Sequence, residues 1–355
     1  MSTLFDPLVL RSLTLRNRIG ISPMCMYSSA DGFPSDWHIV HLPARAAGGA
    51  AVIIQEATAI APVGRISPND AGLWSDDHIQ PWARVNRMIK SLGAIPAIQL
   101  AHAGSKAGTA RPWEGGRKLG AHEGGWQAIG PTAAPTRPND PPVVAMSESD
   151  IEQSIAQFGD AARRALAAGY EIVELHAAHG YLAHSFYSPI TNTRTDRWGG
   201  SFENRTRFVR ESARAIRKHW PDRLPMFVRL SCSDWTEGGW TIEDSVALAR
   251  LLKDDGADLI DCSSGGAGQA ATITIAPGYQ VPFAGAIRNQ AGIATAAVGL
   301  ITTAQQADEI VRSGKADLVL LGRESLRDPH WPIRAARELG MDPKPLTPAQ
   351  YQRAV

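Results

Sequence analysis

Eight short apolar runs, each followed by a stretch with helical spacing, repeat along the 355 residues of this chain and leave few folds open to it. The runs are Ile19–Met24, Ala51–Ala57, Ile95–Leu100, Ile172–His176, Met226–Leu230, Leu259–Cys262, Ala294–Val298 and Leu318–Leu321. They are continuous instead of alternating, the pattern of parallel strands covered on both faces. Helices are predicted over Trp37–Ala47, Asp76–Leu92, Phe202–His219, Ile242–Asp255, Pro282–Gln290, Thr303–Ser313 and Pro329–Leu339. The best defined begins at Ser147, with Asp150 at capping-box spacing. It puts Ile151, Ile155, Phe158, Ala162 and Leu166 on one face, and Gly169 ends it. Eight such units predict one α/β domain, a (β/α)8 TIM barrel, with an open doubly wound sheet as the alternative.

One segment breaks the rhythm. Residues 105–145, between strand three and helix three, hold five prolines from Pro131 to Pro142. A connection that long is expected to be a lid-like excursion over the barrel mouth or a passive surface insertion. The net charge of +1 gives no electrostatic reason to expect nucleic acid or an anionic membrane as partner. No apolar run approaches the ~18 residues of a spanning helix. The start, MSTLFDPLVL, lacks the charged and apolar regions of a signal peptide. Cys25, Cys232 and Cys262 form no CxxC pair, which suits a reducing cytoplasm.

In a TIM barrel the chemistry sits at the C-terminal ends of the strands. Here strand one runs into Ser22-Pro23-Met24-Cys25-Met26-Tyr27, strand two into Glu56-Ala57-Thr58, and strand three into Gln99, with His102 and Lys106 beyond. Strand four ends at His176, followed by His179 and Tyr181, and strand five carries Arg229. Strand six ends in Ser263-Ser264-Gly265-Gly266, strand seven in Val298-Gly299 and strand eight in Gly322-Arg323. The loops after strands seven and eight are the usual phosphate site of this fold. Gly299 and Gly322 would let backbone N–H groups approach an anion and Arg323 would neutralise it. The alternative is that the glycines only turn the chain. A phosphorylated cofactor is therefore expected.

His176 and His179, three residues apart, would point to opposite faces of a regular strand. They cooperate only if the chain leaves the strand right after His176, and Gly180 supplies the freedom to turn. Two imidazole N–H donors then suit a carbonyl or phenolate oxygen on which negative charge grows. Tyr181, beyond the bend, is either a proton donor or a phenol that packs the mouth. A metal would need a third histidine or a carboxylate aimed at the same point, and none is expected. Gly266-Ala267-Gly268-Gln269-Ala270-Ala271 matches a GxGxxA pattern. However, a β-like stretch, Thr272–Pro277, follows where a dinucleotide fingerprint needs a helix.

In order along the chain, these motifs resemble the Old Yellow Enzymes, flavin-dependent ene-reductases, over essentially its whole length. Phe5-Asp6-Pro7 and Leu15-Arg16-Asn17-Arg18-Ile19 open it as the family opens, and Ser22–Tyr27 resembles the thermophilic-like, class III branch. Gln99-Leu100-Ala101-His102-Ala103-Gly104, His176–Tyr181, the run from Arg194 to Arg205, Gly322-Arg323 and Asp328-Pro329 complete the set. The resemblance implies tightly bound FMN and ping-pong reduction of α,β-unsaturated carbonyl compounds by NADPH. It implies that Ser22, Pro23, Met24, Cys25 and Ala57 line the isoalloxazine, that Gln99 bonds its pyrimidine end, and that Arg229 lies by N1 and the C2 carbonyl. Val298, Gly299, Gly322 and Arg323 would hold the phosphate. His176 and His179 would grip the substrate carbonyl, Tyr27 would flank it, Tyr181 would donate the proton, and Lys106 matches a lysine of the mouth. The tail 341–355, with Gln350-Tyr351-Gln352-Arg353, resembles relatives whose arginine enters a neighbouring subunit's site, which implies a homodimer or homotetramer. Ser105, where relatives often carry arginine, and Trp198, where tyrosine is commoner, are departures. The alternatives are another FMN barrel dehydrogenase and a metal-dependent lyase or hydrolase built on the histidine pair.

Overall fold

A computed structural model describes residues 2–135, 137, 139–267 and 273–355. The eight runs form strands β1 (Ile19–Ile21), β2 (Val52–Ala59), β3 (Ile95–Ala101), β4 (Ile172–Ala177), β5 (Met226–Ser231), β6 (Leu259–Ser263), β7 (Ala294–Ala297) and β8 (Leu318–Leu321). Each pairs in parallel with the next and β8 returns to β1, so the sheet is a closed barrel and not the open alternative. β1 stops three residues before its predicted end. Ser22 still donates to Leu321 O, but Pro23 has no N–H to continue the ladder.

The helices pack outside. Glu148–Ala167 has the predicted capping box: Ser147 N donates to Asp150 Oδ2 (2.8 Å) and Asp150 N to Ser147 Oγ (3.2 Å). Trp82, Phe158, Phe208, Trp220 and Trp331 are fully buried between helices and strands. Each such side chain stabilises the fold by about 1.5–3 kcal/mol. Three elements give no periodic signal because they are too short to repeat. They are the antiparallel hairpin Leu8–Leu10 with Leu13–Leu15, the helix Leu182–Tyr187 after β4, and the helix Arg323–Arg327 after β8.

The barrel interior is divided by polarity. Leu10 and Leu15 of the hairpin join Val52, Ile54, Phe227, Leu259, Leu318 and Leu320 in one apolar cluster that fills the end where the strands begin. Toward the strand ends the inward positions become Gln99, Glu174, His176, Arg229 and Asp261. Segment 105–145 crosses this polar end. Trp126 Nε1 donates to Val63 O (2.9 Å) and Lys118 Nζ to Ser105 O (2.6 Å). Of the GxGxxA stretch, Gly268–Ala271 lie outside the described residues, as does Thr272, and residues 273–276 form no strand, contrary to the β-like reading. Among the described residues no helix is long and apolar enough to cross a membrane.

Candidate active site

The bend that brings His176 and His179 together differs in place from the one expected. β4 continues to Ala177, and the chain turns at His179 (φ 62°) and Gly180 (φ 72°), both left-handed. The rings finish with centroids 5.2 Å apart, nearly edge to face, and Tyr181 stands 5.1 Å from His176. A left-handed non-glycine residue is strained, so the turn must be fixed by its neighbours. His179 N donates to Ser231 Oγ (2.9 Å), and Lys106 Nζ donates to His179 O (2.6 Å) and Gly266 O (2.7 Å). Gly180 N donates to His184 Nδ1 (2.8 Å), which leaves the proton of His184 on Nε2, 2.9 Å from Asp234 Oδ1. Gly180 tolerates no side chain, since a Cβ would lie 2.1 Å from Gly266 O.

Both imidazoles of the pair are neutral. Burial pushes their pKa values well below the usual histidine range, and the nearby Arg229 adds to it. His179 Nε2 is 2.7 Å from Ser263 Oγ, whereas the buried His176 Nδ1 has no partner. Burial pushes the Tyr181 phenol well up, so it keeps its proton. Lys106 is lowered to about 8 by burial and by Arg137. Two of its three N–H groups serve backbone carbonyls, which makes it first a clamp on the turn.

Two cavities flank this turn, one lined by Tyr181 and the other by His179. The larger, about 940 Å³, opens over Tyr27, Lys106 and Tyr181 and is roofed by Pro112, Lys118 and Arg137 of the long segment. The smaller, about 270 Å³, is lined by Ser22, Pro23, Met24, His179 and Arg229, and by Val298, Gly299, Gly322 and Arg323 from the last two loops. The larger is of ordinary size for a ligand site. Gly299 has φ 126°, and a Cβ there would sit 3.0 Å from Gln280 Nε2 and Tyr279 Cε1. Gly299 is thus the crowded position of the two loops, whereas a Cβ at Gly322 would meet nothing closer than Met24 Sδ at 4.0 Å.

Other expected residues are not among those that line the smaller cavity. Gln99 is buried and its amide donates to Glu174 Oε1 (2.7 Å). Ala57 follows a bulge in β2 and faces a narrow gap shared with Asp70 and Tyr181. Cys25 is half-buried, with its thiol pushed up by burial. Tyr27 has φ 49°, and its ring meets Trp113 edge to face at 5.8 Å. That loop is pinned by Met26 N donating to Glu56 Oε2 (2.7 Å), with His38 Nε2 3.0 Å from Oε1. Arg353 is exposed in the tail and lines neither cavity. His184, Asp234 and Ser231 support the site without being named by the sequence, and Glu56 and Ser263, named there only as strand ends, gain their roles from partners distant in the chain. Among the described residues no three His, Cys, Asp or Glu side chains converge as metal ligands.

The sequence profile of the NADH:flavin oxidoreductase / NADH oxidase family matches residues 3–342. An NADPH dehydrogenase of Geobacillus thermodenitrificans is 47% identical over 354 residues, 99% of this chain and 98% of that one. The chain belongs to the Old Yellow Enzyme family. It is an oxidoreductase of the NADPH dehydrogenase type, and the family's cofactor is a flavin. Among solved structures, morphinone reductase, an enzyme of similar length, superposes with TM-score 0.79 at 25% identity, covering 98% of this chain and 93% of its own. A 2-naphthoyl-CoA reductase superposes at TM-score 0.85 and 26% identity over 96% of this chain, which spans only 52% of that longer protein. The histidine pair and the loops after β7 and β8 therefore lie at the strand ends of an Old Yellow Enzyme barrel.

Proposed function

We propose that this protein is an FMN-dependent NADPH:alkene oxidoreductase that reduces the C=C bond of α,β-unsaturated carbonyl compounds. The reading rests on one observation: the rings of His176, His179 and Tyr181 are gathered at one strand end, with His179 lining the smaller cavity and Tyr181 the larger. Bound FMN would supply the hydride, received from NADPH and passed to the alkene β-carbon. Gly299, Gly322 and Arg323 would hold its phosphate, with Ser22, Pro23, Met24 and Val298 beside it and Arg229 at its pyrimidine end.

His176 and His179 bind the substrate carbonyl oxygen. Being neutral, they act as fixed N–H donors to an oxygen that gains negative charge, and the buried turn keeps them oriented before that charge arrives. Tyr181 donates its proton to the α-carbon. Tyr27 bounds the carbonyl on the other side, and Cys25, a thiol and not a thiolate, tunes the cofactor and attacks nothing. Because these groups meet at one mouth, NADPH and alkene occupy it in turn. Assembly into a homodimer or homotetramer belongs to the same proposal, with the exposed Arg353 acting in a neighbour's site.

Tyr181→Phe separates the phenol's two readings. Loss of the proton donor should slow flavin reoxidation by an enone about 10²–10⁴-fold, the usual worth of a general acid, with reduction by NADPH nearly unchanged. Equal slowing of both halves in stopped-flow absorbance would mean that Tyr181 only packs the mouth.

A further inference from the structure

Inside the barrel, one arginine faces two carboxylates. Arg229 Nε lies 3.1 Å from Asp261 Oδ2, an ion pair by distance that is not aligned as a hydrogen bond. Arg229 also donates to Ser22 Oγ at 3.3 Å. Glu174, two residues before His176, accepts from the Gln99 amide at Oε1, while its Oε2 and both oxygens of Asp261 have no hydrogen-bond partner. Both carboxyls are 0% exposed. The register explains the cluster: Gln99 pairs with Glu174, and Arg229 pairs with His176 on one side and Asp261 on the other.

The groups that face Glu174 are few. Charge comes from Arg229 on β5 and Asp261 on β6; β3 contributes the neutral Gln99, and its own strand the neutral His176. The remaining strands turn Gly20, Val52, Ile54, Ala296, Leu318 and Leu320 inward. Two ionised carboxylates with one guanidinium would leave a net negative charge in a dry interior, which costs several kcal/mol. One carboxyl must therefore hold a proton. Asp261 has the arginine and Glu174 has only an amide, so the proton belongs on Glu174. The same order follows from the electrostatics. Burial, reinforced by Asp261, pushes Glu174 up to about 8, while burial opposed by Arg229 brings Asp261 to about 6.

We propose that Glu174 stores a proton behind Arg229 and, through that arginine, sets how readily negative charge is accepted at the cofactor's pyrimidine end. The second half of this inference rests on the placement of Arg229 proposed above; the proton itself does not. Glu174 is a positioning residue, since it touches neither cofactor nor substrate. Negative charge arriving beside Arg229 competes with Asp261 for the guanidinium and makes ionised Glu174 less favourable. Above about pH 8, where Glu174 is partly ionised before reduction, the two-electron reduction should take up a further fraction of a proton from solvent, rising toward one as pH rises, and that proton ends on the Glu174 carboxyl.

Glu174→Gln tests both halves. In protein freed of flavin, the raised folded pKa means that the native state binds more protons than the unfolded chain. Its stability should then fall as pH rises from the ordinary glutamate value of about 4.3 through about 8. The variant lacks this loss, so its Tm should gain on the wild type steadily across that window and the gap should then level off. A gap constant with pH would overturn the stored proton. In flavin-loaded protein reduced at an electrode, wild type should take up more protons per two electrons than the variant above about pH 8, the difference rising toward one as pH rises. Equal proton counts beside a pH-dependent Tm gap would overturn the coupling through Arg229. Failure to bind flavin at all would strike the function proposed above and leave the Tm result standing. Should the glutamine variant not fold, the infrared C=O stretch of a buried protonated carboxyl gives the answer in wild type. Its loss between about pH 6 and pH 10 supports the stored proton, and its absence at about pH 6 refutes it.

Discussion

With alanine at both His176 and His179, kcat/KM for an enone should fall about 10²–10³-fold or more, the loss seen when one oxyanion donor is removed, while flavin remains bound. The imidazoles are held by a turn with several independent fastenings, so their geometry is set before substrate arrives. Removing the rings leaves those backbone bonds in place and deletes only the donors. The cavity proposed to take the cofactor phosphate is lined by the last two loops and shares only His179 with this pair. Phenols, whose oxygen resembles the enolate oxygen, should lose both their affinity and the long-wavelength charge-transfer absorbance they give when stacked on flavin. A band of wild-type strength in the double variant would show that the histidines do not hold the oxygen.

Cofactor retention should depend most on the loops after β7 and β8. Arg323→Ala removes a charge-assisted contact worth about 1.5–3 kcal/mol, so the dissociation constant for FMN should rise about 10–100-fold. Gly299→Val should be worse. The residue has φ 126°, and the added side chain begins 3.0 Å from Gln280 and Tyr279, in the space the cavity provides. Fluorescence titration of the flavin-free protein with FMN, with riboflavin as the control lacking phosphate, measures both. For riboflavin the wild type and Arg323→Ala should be nearly alike. If Arg323→Ala binds FMN as tightly as wild type, the phosphate lies elsewhere.

The barrel was legible because its information is local. Each buried strand is a continuous apolar run, each helix carries a 3.6-residue stripe, and the connections between parallel strands are long enough to separate the two signals. The grouping of Gly299, Gly322 and Arg323 was legible because they fall at the ends of adjacent strands, and the structure gathers them on one cavity. Elements of three to six residues were not, since Leu8–Leu10 or Leu182–Tyr187 is shorter than the period that would reveal it. The bend after β4 was half legible. Gly180 announced it, but the left-handed conformation of His179 depends on Ser231 and Lys106, which lie 52 and 73 residues away. Glu174 shows the same limit more sharply. On the sequence it is an acidic residue in an apolar strand; only closure of the barrel sets Asp261 and a single arginine beside it.

Sequential anaerobic mixing of flavin-loaded protein, first with NADPH and then with 2-cyclohexenone, follows both halves of the proposed cycle in one trace. NADPH should bleach the flavin absorbance, and the enone should restore it far faster than buffer alone, with the saturated ketone as product. Flavin that NADPH bleaches but the enone leaves bleached would contradict alkene reduction as the activity of this site.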